Sequence, residues 1–239
     1  MKIGTFILAF AGAIGTSLAA VGTEKTEAER LFRQMETKLE KAKTIQCDFE
    51  MILQACPGGA VKGSIFIGEG NKSRVEAHDK GQQRDGNSVI AVSDGKKLAT
   101  VAYGATLRLE DVPKWQNQAH KVALARMGAT PINQVPLADA DQDFRADEAF
   151  AVSDFKLGKA ARIGRQDACL IQYTLVTKGL DVRTTKTRFA VSLWVDAKTK
   201  LPLKRLVVPQ EEGLGFIQTE TYSTFMLDGK IDSKKLELP

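Results

Sequence analysis

The sequence predicts a mainly β, α+β fold: a single antiparallel sheet curled into an unclosed half-barrel, with helices covering its concave face. Three observations lead there. Apolar and polar residues alternate over many short segments separated by turn residues. Two stretches, 26–43 and 112–127, break that period with a helical one. The segment "VSLWVDAKTKLPLKRLVV", residues 191–208, is apolar on both faces of a hairpin: Val191, Leu193 and Val195 point one way and Trp194 the other. A sheet with apolar groups on both faces needs two covers. With 239 residues and no internal repeat or linker, one domain over 20–239 is expected.

At the N-terminus, Lys2 precedes an apolar run over 3–14, and the small residues Ser17 and Ala19 follow. This pattern reads as a signal peptide, 1–19, cleaved after Ala19 or Ala20. The run is shorter than the roughly 20 residues a membrane span needs. The mature chain is therefore expected to be exported, either periplasmic or secreted, and soluble.

The first helix begins with Thr26 and Glu29 spaced as a capping box. Ala28, Leu31, Phe32, Met35, Leu39 and Ala42 recur on one face. The period then changes to two. Ile45, Cys47, Phe49, Met51 and Leu53 alternate with Gln46, Asp48 and Glu50. After a Pro-Gly-Gly turn, Val61, Gly63, Ile65 and Ile67 mark the return strand, and Ser73, Val75 and Ala77 a third. Residues 89–93 and 97–103 form a hairpin about Asp94-Gly95. The second helix is expected to start at Asp111 and Pro113. Its stripe is Trp115, Ala119, Val122, Ala123 and Met127, ended by Gly128 and Pro131. Residues 135–149 read as a loop plus a short acidic helix. Strands resume over 151–158, 168–177, 188–195, 202–208 and 216–227.

Several chemistries are excluded. The net charge is only +5, its basic residues are dispersed, and 7% of the chain is aromatic. No concentrated basic, base-stacking face for nucleic acid results. His78 and His120 are far apart, outside any H-E-x-x-H pattern, and are read as solvated. Asp139, Asp141 and Asp143 could open a calcium loop, but Phe144 stands where the Gly is needed and Phe150 where the bidentate Glu is needed. No Ser sits in G-x-S-x-G. No enzyme activity, cofactor or metal is implied. Among the three cysteines, Cys47 and Cys56 are about 30 Å apart along a strand, too far to bridge. A Cys47–Cys169 or Cys56–Cys169 bond stays open, beside the alternative of small buried hydrophobes.

What remains is apolar surface from many strands. Phe49, Met51, Ile65, Ile67, Val101, Tyr103, Tyr173, Leu175, Leu193 and Trp194, with Trp115 from the second helix, are the candidate lining of an apolar cavity between sheet and helices. An acyl chain entering such a cavity gains about 0.8 kcal/mol per buried methylene.

The order of segments carries a resemblance. An amphipathic helix ends in Lys41-Ala42-Lys43-Thr44-Ile45 before a long alternating strand. Then come "GSIFIGEGNKSRVE" (63–76), "VSDGKKLA" (92–99), "LWVDAKTKLPLKRLVV" (193–208) and the closing "TETYSTFMLDGKIDSKKLELP". Over nearly the whole mature chain this resembles the LolA-like superfamily of outer-membrane lipoprotein-sorting proteins. The resemblance implies an unclosed barrel whose helices form a lid over an apolar cavity. It implies a monomer that takes a lipid acyl chain or a lipid-modified protein through the periplasm and docks transiently at a membrane or membrane protein. It implies, as the alternative, an envelope-sensing regulatory or scaffold module with a protein partner. Residues 135–149 and 178–186 match nothing in that pattern. For the arginine that latches the lid in typical carriers, Arg74 is the nearest counterpart.

Overall fold

The structure is a computed structural model. It describes residues 25–54, 59–79, 88–102, 105–129, 144–178, 186–210 and 217–239. The expected signal peptide, Cys56, Tyr103 and the Asp139–Asp143 triplet lie outside the described residues.

Among the described residues, twelve strands form one antiparallel sheet. They are β1 (Ile45–Gln54), β2 (Ala60–Ile67), β3 (Lys72–Asp79), β4 (Ser88–Asp94), β5 (Lys97–Ala102), β6 (Ala105–Asp111), β7 (Phe150–Leu157), β8 (Ala161–Ile163), β9 (Gln166–Thr177), β10 (Thr187–Asp196), β11 (Pro202–Pro209) and β12 (Ile217–Leu227). Their order is β6-β5-β4-β3-β2-β1-β12-β11-β10-β9-β7, with β8 paired to β9. The sheet does not close: β6 and β7 are its two edges. This is the unclosed half-barrel the alternating segments predict.

Topology explains why helices cover one face. Nearly every connection joins neighbours, as a meander does. The exception is the link from β6 to β7, which must travel from one edge of the sheet to the other. It carries α2 (Gln116–Arg126) and α3 (Ala146–Ala149). Helix α1 (Glu27–Lys41) precedes the central strand β1 and packs against α2, β7 and β9.

Helix α1 follows its sequence closely. The Thr26 hydroxyl accepts from the Glu29 amide at 3.1 Å, and Ala28, Phe32, Met35 and Leu39 are buried. These side chains join Ile45, Cys47, Phe49, Met51, Ile65, Ile67, Tyr173, Leu175, Val191 and Leu193 in one core on the inner face of the sheet. Phe32 meets the Tyr173 ring edge-on at 4.9 Å between centroids. The hairpin at 193–203 forms as its sequence requires. The Asp196 carboxylate accepts from the amides of Lys198 and Thr199, closing the turn before β11.

Helix α2 departs from expectation. It starts at Gln116, not Asp111, because β6 runs out to Asp111 and Pro113 lies in the turn that follows. Trp115 is its N-cap and supplies no capping bond. Instead the β2–β3 turn does so: the Asn71 side-chain Oδ1 accepts from the Asn117 amide at 3.3 Å. Nor is α2 a one-sided stripe. Gln116, Ala119, His120 and every residue from Val122 to Arg126 are buried. His120, read from sequence as solvated, is 6% exposed, because this helix is covered on almost all sides. Strand β6 itself was not expected. All its residues but Glu110 are exposed; Leu107 and Leu109 alternate with Thr106, Arg108 and Glu110, but over too short a run to mark a strand.

Cys47 and Cys169 are both free thiols, so the Cys47–Cys169 bond is not formed. Cys47 is instead a small core side chain, and burial pushes its thiol well above the ordinary range.

Candidate functional site

The strand register sorts the predicted lining residues into two faces. Phe49, Met51, Ile65, Ile67, Tyr173, Leu175 and Leu193 come together on the inner face beneath the helices. Each is 7% exposed or less. Val101 and Trp194 lie on the other face. Val101 pairs with Ile90, which pairs with Glu76, Ser64 and Asp48 in turn, and that row alternates with the Phe49 and Ile65 rows. Trp194 pairs with Lys204, whose ammonium stands 5.2 Å from the indole centroid. Both residues were assigned to the lining because their strands are apolar on both sides, which hides parity. Trp115 is half-buried at the start of α2 and stacks on Phe144 at 5.5 Å.

Arg74, the nearest counterpart of the latch arginine, is likewise on the outer face, away from the helices. Its Nε donates to the Glu76 carboxylate at 2.9 Å. The arginine that does bond the helices is Arg205, on β11, which is fully buried and faces inward. Its Nη2 donates to the carbonyls of Leu124 (3.0 Å) and Ala125 (2.7 Å), the last turn of α2. A guanidinium there satisfies orphan carbonyls and meets the negative end of the helix dipole. Arg205 Nη1 donates to the Tyr222 hydroxyl at 3.0 Å, and that hydroxyl donates on to Glu220.

Glu220 gathers the other donors. It accepts from the Ala129 amide at 3.0 and 3.1 Å and from Gln218 at 2.7 Å, and lies 3.8 Å from Arg205. Gly128, at φ +116°, brings Ala129 to this carboxylate. A Cβ on Gly128 would lie 2.2 Å from a Glu220 oxygen. Tyr173 completes the clamp by donating to the Arg126 carbonyl at 2.5 Å, and burial lifts its phenol to about 12. Among the described residues, Arg205 Nε alone in this cluster has no hydrogen-bond partner; the remaining bonds and the Glu220 carboxylate compensate the buried charge.

The two helices are also tied together. Arg126 reaches Glu36 on α1 (2.5 Å), and Lys121 donates to the Ala42 carbonyl just past the end of α1 (2.6 Å). Sequence reasoning missed Arg205 and Glu220. They stand at inward positions of β11 and β12, where alternation assigns core, and a charge at such a position was the available signal.

Helix α2 carries a second peculiarity. Among the described residues, six buried side-chain polar atoms lack a hydrogen-bond partner. Four of them fall on 115–120: Trp115 Nε1, Gln116 Oε1, Asn117 Oδ1 and His120 Nδ1. Buried, unpaired groups of this kind cost about 1–3 kcal/mol each. Burial lowers the His120 imidazole to about 4, so it is neutral at pH 7. Among the described residues no set of three His, Cys, Asp or Glu side chains could hold a metal ion. No helix there is long and apolar enough to cross a membrane.

No protein-family model matches the sequence, and no curated protein matches it. Solved structures do align with it. The lipoprotein LppX of Mycobacterium tuberculosis aligns at 8% identity over 86% of this chain and 97% of that one, with a TM-score of 0.45. The MucA/MucB complex of Pseudomonas aeruginosa aligns at 14% identity over 90% of this chain, TM-score 0.42; the chain spans 62% of the length matched there. A LolA superfamily protein from Nitrosomonas europaea aligns at 14% identity over 90% and 99% of the two chains, TM-score 0.38. The chain is thus similar in outline to LolA superfamily and related structures, a likeness of architecture alone.

Proposed function

We propose that this chain is an exported carrier that shields the acyl chains of a lipid or lipid-modified protein between its sheet and helices. One observation carries the reading: a helix laid over an apolar trough concentrates four unpaired buried polar atoms within six residues. Lifting α2 hydrates those atoms, which offsets part of the apolar area exposed. The closed and open forms then lie close enough in free energy for a ligand to choose between them. The packed core beneath the helices is apolar from Phe49 to Leu193, so the trough that lifting α2 would open is suited to hydrocarbon. Tethers at both ends of α2, Asn71 and Arg205, give the motion its hinge and its latch. No covalent chemistry is assigned to the site. The protein binds, excludes water and releases, and a membrane or membrane protein that receives the cargo assists the opening.

The test is ligand capture. Native mass spectrometry of the gently purified protein should find a co-purifying lipid. In a Trp194→Phe variant, an acyl probe should change the fluorescence of Trp115, which sits at the lid. A ligand-free protein whose Trp115 ignores the probe, and which instead captures a signalling protein, points to the regulatory module.

A further inference from the structure

On the outer face, away from the trough, we propose a binding site for a phosphate group, in the cleft between β2, β3 and the C-terminal 3-10 turn Ser233–Leu236. The cleft holds about 400 Å³. Phe66 forms its floor, and Arg74, Glu76, His78, Lys234 and Lys235 surround it. Elements more than 150 residues apart in sequence build it, so the grouping is not a local run of charge.

The turn is held in place. Leu236 is buried and lies against Gly68, where an added Cβ would come within 3.0 Å of it. Asp232 caps the turn by accepting from the Lys234 amide at 3.1 Å. Lys235 is thereby seated over the Phe66 ring, its ammonium 4.2 Å from the centroid. Across the cleft, Arg74 is fixed through Nε alone, by Glu76 Oε2 at 2.9 Å. The outer edge of its guanidinium, a planar two-donor fork, is left for a ligand.

The charges do not cancel. Glu76 is the one acid in the lining, and both its oxygens are taken, Oε2 by Arg74 and Oε1 by His78 Nε2 at 3.0 Å. Arg74, Lys234 and Lys235 therefore outnumber it three to one. Three cations about a small cleft suit a tetrahedral oxyanion with more than one negative charge. The Ser64 hydroxyl, also in the lining, belongs to both this cleft and its neighbour of about 520 Å³, which has room for the rest of a phosphate ester. This site does not rest on the carrier reading, because neither the trough nor the lid takes part.

The phosphate could belong to a soluble ester or to a lipid headgroup, and two arms of one experiment separate these. Calorimetric titration at low salt uses inorganic phosphate and glycerol phosphate. Sedimentation uses phosphatidylglycerol vesicles with phosphatidylcholine vesicles as control. Saturable binding of the soluble ester assigns that source; binding to phosphatidylglycerol vesicles alone assigns the headgroup. In either case Arg74→Gln and Lys234→Gln/Lys235→Gln should weaken binding about tenfold. Glu76→Gln should strengthen it, a gain that misfolding cannot mimic. No binding in either arm overturns the proposal. So does binding that these substitutions leave unchanged.

Discussion

Lys204 and Arg205 are adjacent cations on β11 with opposite surroundings. Lys204 faces outward, half-buried, and rests its ammonium over Trp194. Arg205 faces inward, is fully buried, and holds the last carbonyls of α2 together with Tyr222 and Glu220. One residue of strand register separates a surface contact from a buried clamp. The outer face tolerates charge because solvent screens it. The inner face tolerates it only where a partner answers the charge, so Arg205 and Glu220 mark the joint between the sheet and the end of α2.

The largest expected effect breaks the inner side of that comparison. Arg205→Met should cost about 3–5 kcal/mol of stability in urea unfolding, since it strands Glu220 in the core. Arg205→Met/Glu220→Gln should lose less than Arg205→Met alone, because the uncompensated charge is gone. A double variant that loses the sum of both single effects would mean the two residues do not act as a unit.

Next comes pH. His120 has a folded value of about 4 against an ordinary 6.5. The unfolded chain therefore binds more protons between those values. Stability from neutral His120 is fully present above pH 6.5 and is lost as pH falls toward 4, on the order of 3 kcal/mol. Unfolding free energies measured from pH 7 to pH 4 should flatten in His120→Leu relative to the parent. Equal slopes would place His120 in water.

Gly128→Ala should cost about 2 kcal/mol, through a positive φ and collision with the Glu220 carboxylate. The outer side supplies the smallest effect. Lys204→Ala should change stability by less than about 1 kcal/mol, as exposed cation–π contacts do. A larger loss would erase the contrast between the two faces.

How much of this the sequence discloses depends on how many faces a segment buries. Helix α1 buries one, and its cap and its stripe are both readable. Strands β1, β2 and β3 bury one face more than the other, so Phe49, Ile65 and Val75 can be placed by alternation. Helix α2 is buried on most sides, so its start and its buried His120 escape periodicity. Strand β6 is exposed on both faces, and its short alternation of Leu107 and Leu109 with Arg108 and Glu110 buries nothing; the two leucines are 65% and 60% exposed. Strands β5 and β10 carry apolar groups on both faces, which is how Val101 and Trp194 were counted with the trough. Arg205 and Glu220 meet from strands 15 residues apart. Only the register of β11 on β12 shows that they face each other.

The central claim is that the inner face, under α2, receives a hydrocarbon chain. Photo-cross-linking of the intact protein with a diazirine-bearing fatty acid, followed by peptide mass mapping, tests it most directly. The account predicts adducts on inner-face positions of β1 and β10 and on α2, with more adduct in Arg205→Met, whose lid is unlatched. Adducts confined to the outer face around Trp194, or none in either protein, would contradict it.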